Sequence, residues 1–181
     1  MPDIANTAPP PKADIPDDDP KRTLAIASPA DPATRYVSVA RGAYAILLTG
    51  EQTGGHYCLI DMRTPPGGGP PPHRHDFEEM FTILEGEIEF TFRGEKIKAG
   101  AGSTINIPAN APHSFKNLSD KQARMLCLCT PPGQERFFLE IGDPIDGPAA
   151  APPTLSKEQQ SERIQKAKAL APKYRTELLV P

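Results

Sequence analysis

His73 and His75 are separated by one residue, and an acid, Glu79, follows four positions later. In extended backbone, residues i and i+2 point to the same face, so both imidazoles can reach one point, and Glu79 falls just after the next short bend. The chain has four histidines. A third, His113, follows Pro108 and Pro112 at a turn leading into Ser114 and Phe115. Three imidazoles and a carboxylate suit a divalent first-row ion and leave positions open for water, substrate or oxygen. A His-x-His pair on a surface strand is more often incidental than a ligand pair, so this spacing alone leaves both readings open.

The elements that must position these residues are set by proline, which supplies 23 of 181 residues, more than twice its usual share. Eight prolines lie in the first 32 residues among Ala, Asp and little that is large and apolar. Residues 1–33 therefore cannot bury enough surface to offset their ordering entropy and read as a Pro/Asp-rich arm, solvated by Asp17, Asp18 and Asp19 and long enough to lie across a partner subunit.

From residue 34 to 142 the pattern changes to short apolar or alternating runs punctuated by Gly, Pro and Asn. It predicts strands over 36–41, 44–49, 57–62, 79–84, 87–92, 95–98, 103–107, 114–117 and 123–129, followed by a short helix over 134–141 that Gly142 stops. Many short strands at close, even spacing imply an antiparallel sandwich or barrel. Residues 143–181 read as a Pro-rich linker and a helical extension. Ser156 with Gln159 forms a capping-box pattern, and the helix they open runs to about residue 171, with a thin apolar face of Ile164, Ala167, Leu170 and Ala171 that packs outside the barrel or on a neighbouring subunit.

Composition excludes several classes. The chain is 38% hydrophobic and no run approaches the roughly 18 apolar residues of a spanning helix. With 20 basic and 23 acidic residues, a net charge of −3 marks it as a partner of neither nucleic acid nor anionic membrane. Residues 1–20 contain no apolar h-region, and three cysteines are too few and of the wrong parity for a disulfide framework, so a cytoplasmic location is expected. An open antiparallel sheet leaves edge groups unpaired, which predicts a homodimer.

The two histidine segments resemble the two signatures of the cupin superfamily. Gly67, His73, His75, Glu79 and Gly86 match the first; Gly102, Pro108, His113 and Asn117 match the second, with 15 residues between Gly86 and Gly102 as in small single-domain cupins. The departure is Asn110, where the family usually has Gly, and Asn is the residue that otherwise best tolerates a left-handed turn. The resemblance implies an all-β cupin fold, an antiparallel β-barrel of jelly-roll type with short C-terminal helices. It also implies one divalent transition metal per chain (Mn, Fe, Ni, Co, Cu or Zn) bound by His73, His75, Glu79 and His113. Glu79 has a second available role, since a carboxylate can accept a proton as general base.

Finer resemblance points to quercetinase-like cupins, carried by Gly50-Glu51-Gln52-Thr53 and by Gly133-Gln134-Glu135-Arg136-Phe137-Phe138. It implies a metal-dependent dioxygenase adding O2 to a small, flavonol-like or enol substrate, with Glu79 taking the substrate's proton. Phe81, Ile83 and Phe115 share the parity of Glu79 and His113 and could line an apolar wall for substrate, or simply form core. The alternatives are a lyase or isomerase of the small manganese cupin type, and a non-catalytic small-molecule-binding cupin. The remaining features read as structure. His56 lies outside both signatures, and residues 65–72 form a stiff rim. Cys127 and Cys129 face one side of one strand and could bind metal in principle, but they lack further thiol partners and read as core.

Overall fold

The computed structural model describes residues 14–150 and 153–180. Residues 1–13 of the expected arm lie outside them, and residues 14–33 contain neither helix nor strand. The strands, in chain order, are β1 (Arg35–Val39), β2 (Gly42–Leu48), β3 (Cys58–Thr64), β4 (His73–His75), β5 (Glu78–Glu85), β6 (Glu87–Phe92), β7 (Glu95–Gly100), β8 (Thr104–Ile107), β9 (His113–Lys116) and β10 (Ala123–Thr130). Helix α1 (Gln134–Ile141), β11 (Asp143–Ile145), α2 (Lys157–Leu170), a 3-10 turn at Ala171–Tyr174 and β12 (Thr176–Leu178) complete the order.

Seven strands form one sheet in the order β11-β1-β2-β3-β10-β5-β8, and five form a second in the order β12-β4-β9-β6-β7, with antiparallel pairing throughout. This is the jelly-roll arrangement, but the two sheets face each other with free edges rather than closing into a continuous hydrogen-bonded barrel. The chain passes between the sheets repeatedly, and the crossing from β5 to β6 is made at Gly86, whose φ of 80° turns the chain sharply.

Alternation builds the core between the sheets. On β5 the residues Glu79, Phe81 and Ile83 point inward, and on β10 so do Ala123, Met125, Cys127 and Cys129. Phe81 meets Phe90 and Phe115 of the opposite sheet at ring-centroid distances of 5.5 and 5.4 Å. The rim before β4 depends on glycine at one point: Gly69 sits at φ 140°, and a Cβ there would lie 2.1 Å from the Phe115 carbonyl oxygen.

Both helices form where expected, α2 with a complete capping box at Ser156 and Gln159. Ala167 and Leu170 of α2 pack against the core, whereas Ile164 is 47% exposed. Three short strands fall outside the expected set: β4, β11 and β12. The two runs that carry the finer resemblance meet in a single joint. Glu135, 1% exposed, accepts the backbone N–H of Gly50 at 3.0 Å through Oε1 and that of Gly133 at 2.8 Å through Oε2. Their proximity therefore serves packing of α1 against the β2–β3 turn. Glu135→Ala strands two backbone donors and should destabilise the fold by about 3 kcal/mol in urea titration, with Glu135→Gln, which keeps one acceptor, falling between it and wild type.

Candidate metal centre

The strand that carries His73 and His75 is only three residues long and is held from both sides. On one side His73 pairs with His113 of β9; on the other, His75 pairs with Thr176 and His73 with Leu178 of β12. The C-terminal segment thus straps the histidine strand. Arg74 pairs with Glu177 at 2.6 Å, Arg175 pairs with Asp76 at 2.6 Å, and Leu179 N–H donates to the Pro72 carbonyl at 2.8 Å.

Each imidazole is oriented by the backbone next to it. The Nδ1 atoms of His73, His75 and His113 lie 2.9 Å from the carbonyl oxygens of Pro71, Phe77 and Ala111. A carbonyl only accepts, so each Nδ1 carries a hydrogen, and the Nε2 atoms are left to present a lone pair to an ion or, without one, a proton to Glu79. His75 also stacks on Phe77, with centroids 3.9 Å apart and planes within 6°. Asn110 turns the chain at φ 68°, the left-handed conformation expected of it, and its N–H donates to the His75 carbonyl at 2.6 Å.

The four expected ligands converge. His73, His75, Glu79 and His113 are 6%, 2%, 3% and 3% exposed, and their ligand atoms lie within 4.8 Å of one another. Glu79 Oε2 is 3.1 Å from His75 Nε2 and 3.2 Å from His113 Nε2. Bonds of about 2.1 Å to one ion set adjacent donors about 3 Å apart, so these spacings fit a divalent metal. The electrostatics agree. Burial, and then His113, hold the His73 imidazole down to about 4, so it is neutral at neutral pH. Burial alone raises the Glu79 carboxyl, but hydrogen bonds and charge from His113 and His75 outweigh it and keep the group ionised. Buried imidazole lone pairs aimed at a carboxylate need a cation or shared protons between them.

Phe81, Ile83 and Phe115 lie on the inward face with the ligands and are buried in the same core cluster, packed against one another. His56 lies in an exposed turn away from the centre. Cys127 and Cys129 come closer to it than the sequence indicates. Their sulfurs are 3.3 and 3.8 Å from Glu79 Oε1, the carboxylate oxygen that faces away from the imidazoles. Alternation along β10 puts both thiols inside, but only the β5–β10 register puts Cys129 opposite Glu79. Neither Phe77 nor the β12 strap carries a periodicity or spacing in the sequence that points to the centre.

Comparison with known proteins adds a family and a set of relatives. Residues 60–129 match the family described as Cupin domain. The chain is 30% identical over 132 residues to quercetin 2,3-dioxygenase of Bacillus subtilis, an alignment covering 72% of this chain and 39% of that protein. Among solved structures it resembles a predicted oxalate decarboxylase from Thermotoga maritima, with a TM-score of 0.54 and 22% identity over 59% of this chain and 98% of that one. It also resembles the polyketide cyclase RemF from Streptomyces resistomycificus, with a TM-score of 0.52 and 19% identity over 80% and 99%. Such likenesses at low identity speak for the fold alone. Among the described residues, no helix is long and apolar enough to cross a membrane.

Proposed function

We propose, from the premise that this chain belongs to the cupin superfamily, that it is a divalent-metal-dependent dioxygenase acting on a flavonol-like or enol substrate. The observation that carries the metal is the set of Nδ1-anchored imidazoles turned toward one carboxylate in a buried interior. What favours flavonol chemistry over other cupin chemistry is the 30% identity to the Bacillus dioxygenase, of whose length the matched stretch covers 39%.

A divalent ion held by His73, His75, Glu79 and His113 would supply Lewis acidity, stabilising negative charge on a substrate oxygen. The protein does the rest. The three backbone carbonyls fix the imidazole planes, so the donors are preorganised before substrate arrives. Glu79 accepts the proton of the substrate's enolic hydroxyl. Phe81, Ile83 and Phe115, packed on one another in the closed interior, are the apolar surface a planar aromatic substrate would meet once that packing opens to admit it, and the enclosing sheets would keep bulk water from the activated carbon. The homodimer belongs to the same proposal, since among the described residues β7 and β8 each end a sheet with no strand on their outer side. A monomer by light scattering at micromolar concentration overturns that part.

An oxygen electrode with quercetin tests the main reading, using protein loaded in turn with Mn, Fe, Co, Ni, Cu and Zn. Oxygen consumption matching flavonol loss for at least one metal, and absent from His75→Ala/His113→Ala, is the expected result. No oxygen uptake with any of the six overturns the reading for flavonols. Turnover of an enol without oxygen uptake identifies the lyase or isomerase alternative, and a melting shift without turnover the binding module.

A further inference from the structure

We infer that Cys127, Cys129 and Glu79 Oε1 form a second, thiophilic metal site, back to back with the imidazole centre and taking a soft d10 cation. Glu79 divides its two oxygens between different donor sets. Oε2 faces His75 and His113, and Oε1 faces the two thiols. The sulfurs are 3.7 Å apart, and Oε1 lies 3.3 Å from one and 3.8 Å from the other. The circle through these three atoms has a radius of about 2.1 Å, so a point slightly out of their plane lies at the metal–sulfur and metal–oxygen bond lengths of about 2.3 and 2.0–2.2 Å with shifts of a few tenths of an ångström.

The strands that hold these donors do not need to move. Cys129 stands directly opposite Glu79 in the β5–β10 register, and Cys58 stands opposite Cys129 in the β3–β10 register. All three cysteines are fully buried and unpaired by disulfides. The register thus brings a third buried sulfur, that of Cys58, next to Cys129 on the neighbouring strand, which the sequence alone did not place there. Two sulfurs and one carboxylate oxygen in an apolar surround select a soft ion over Mg, Ca or Mn. A divalent ion bound by two thiolates and the Glu79 carboxylate leaves one net negative charge, and the two thiol protons it displaces go to solvent. A purely apolar row of Val or Ala at these positions would leave Oε1 buried against hydrocarbon.

The site shares Glu79 with the imidazole centre but does not rest on the proposed dioxygenase activity, and its test uses no substrate. Cadmium(II), present during refolding of the full chain from urea and then stripped from solution, should remain at one equivalent bound through thiolate, seen as a sulfur-to-cadmium charge-transfer band in the near ultraviolet. The band should persist in His75→Ala/His113→Ala, which lacks only imidazole donors. It should vanish in Cys127→Ser/Cys129→Ser, with cadmium affinity at this site at least 100-fold weaker, while that variant still binds cobalt(II) at the imidazole set. If the serine pair does not fold, Cys127→Val/Cys129→Ala provides the same comparison with better core packing. Folded wild-type protein without the band, or a band that survives loss of both cysteines, overturns the inference and leaves the thiols as weak hydrogen-bond donors to Glu79.

Discussion

His75→Ala combined with His113→Ala should strip the protein of its divalent ion and leave the two sheets folded. Loss of hydrogen-bond partners around a metal ligand typically costs 10–100-fold in affinity. Removing two ligands outright should therefore cost more than about 1,000-fold, below detection by elemental analysis after dialysis. The fold survives because the sheets are joined by packing that does not depend on the imidazoles, in which Phe81, Phe90 and Phe115 meet one another. The substitutions remove the two Nδ1 bonds to Phe77 and Ala111 and both imidazole partners of the buried Glu79 Oε2. The two Nδ1 bonds alone, at about 1 kcal/mol each, correspond to a fall of about 4–8 °C in Tm for a chain of this size, and the stranded carboxylate adds to it. Acid should mimic the double substitution reversibly in wild type, because protons compete with the ion for the same Nε2 lone pairs, and occupancy should fall as pH drops. Full occupancy in the double variant overturns the assignment of the centre.

Glu79→Gln should separate the two roles of the carboxylate. The amide keeps the shape of the side chain and one oxygen donor, and the geometry determines which way it faces. Its oxygen belongs on the imidazole side, where a cation is held, and its NH2 on the side of the Cys127 and Cys129 sulfurs, which can accept weakly. Three imidazoles plus that oxygen should retain most of the metal. Proton transfer is another matter, since an amide oxygen is too weak a base at neutral pH to take an enolic proton, and turnover should drop about 100-fold or more, the usual scale for a lost general base. Metal content and oxygen uptake measured on the same preparation read both effects. Retention of metal together with near-normal turnover makes Glu79 a ligand alone, and the base must then be sought elsewhere or the substrate must arrive ionised.

The sequence by itself determined the parts of this protein that depend on local spacing. The i, i+2 geometry puts His73 and His75 on one face, and alternation through 79, 81 and 83 puts Glu79 inside with Phe81 and Ile83. Backbone preference explains why Asn110 serves where a left-handed turn is needed and why Ser156 starts α2. The order and approximate ends of β1 to β3 and β5 to β10 follow from the same signals.

Tertiary structure decided what depends on register between distant segments. β11 and β12 are three residues each, Asp-Pro-Ile and Thr-Glu-Leu, too short to show a period. They are strands because β1 and β4 offer them open edges, and β12 is pinned by charge pairs linking Arg74 to Glu177 and Asp76 to Arg175. The imidazole tautomers are set by carbonyls at 71, 77 and 111, whose directions come from folded turns that no residue type encodes. The row of Glu79, Cys129 and Cys58 exists only because β5, β10 and β3 pair in one particular register, and a shift of one residue would turn the thiols to the other face of the sheet.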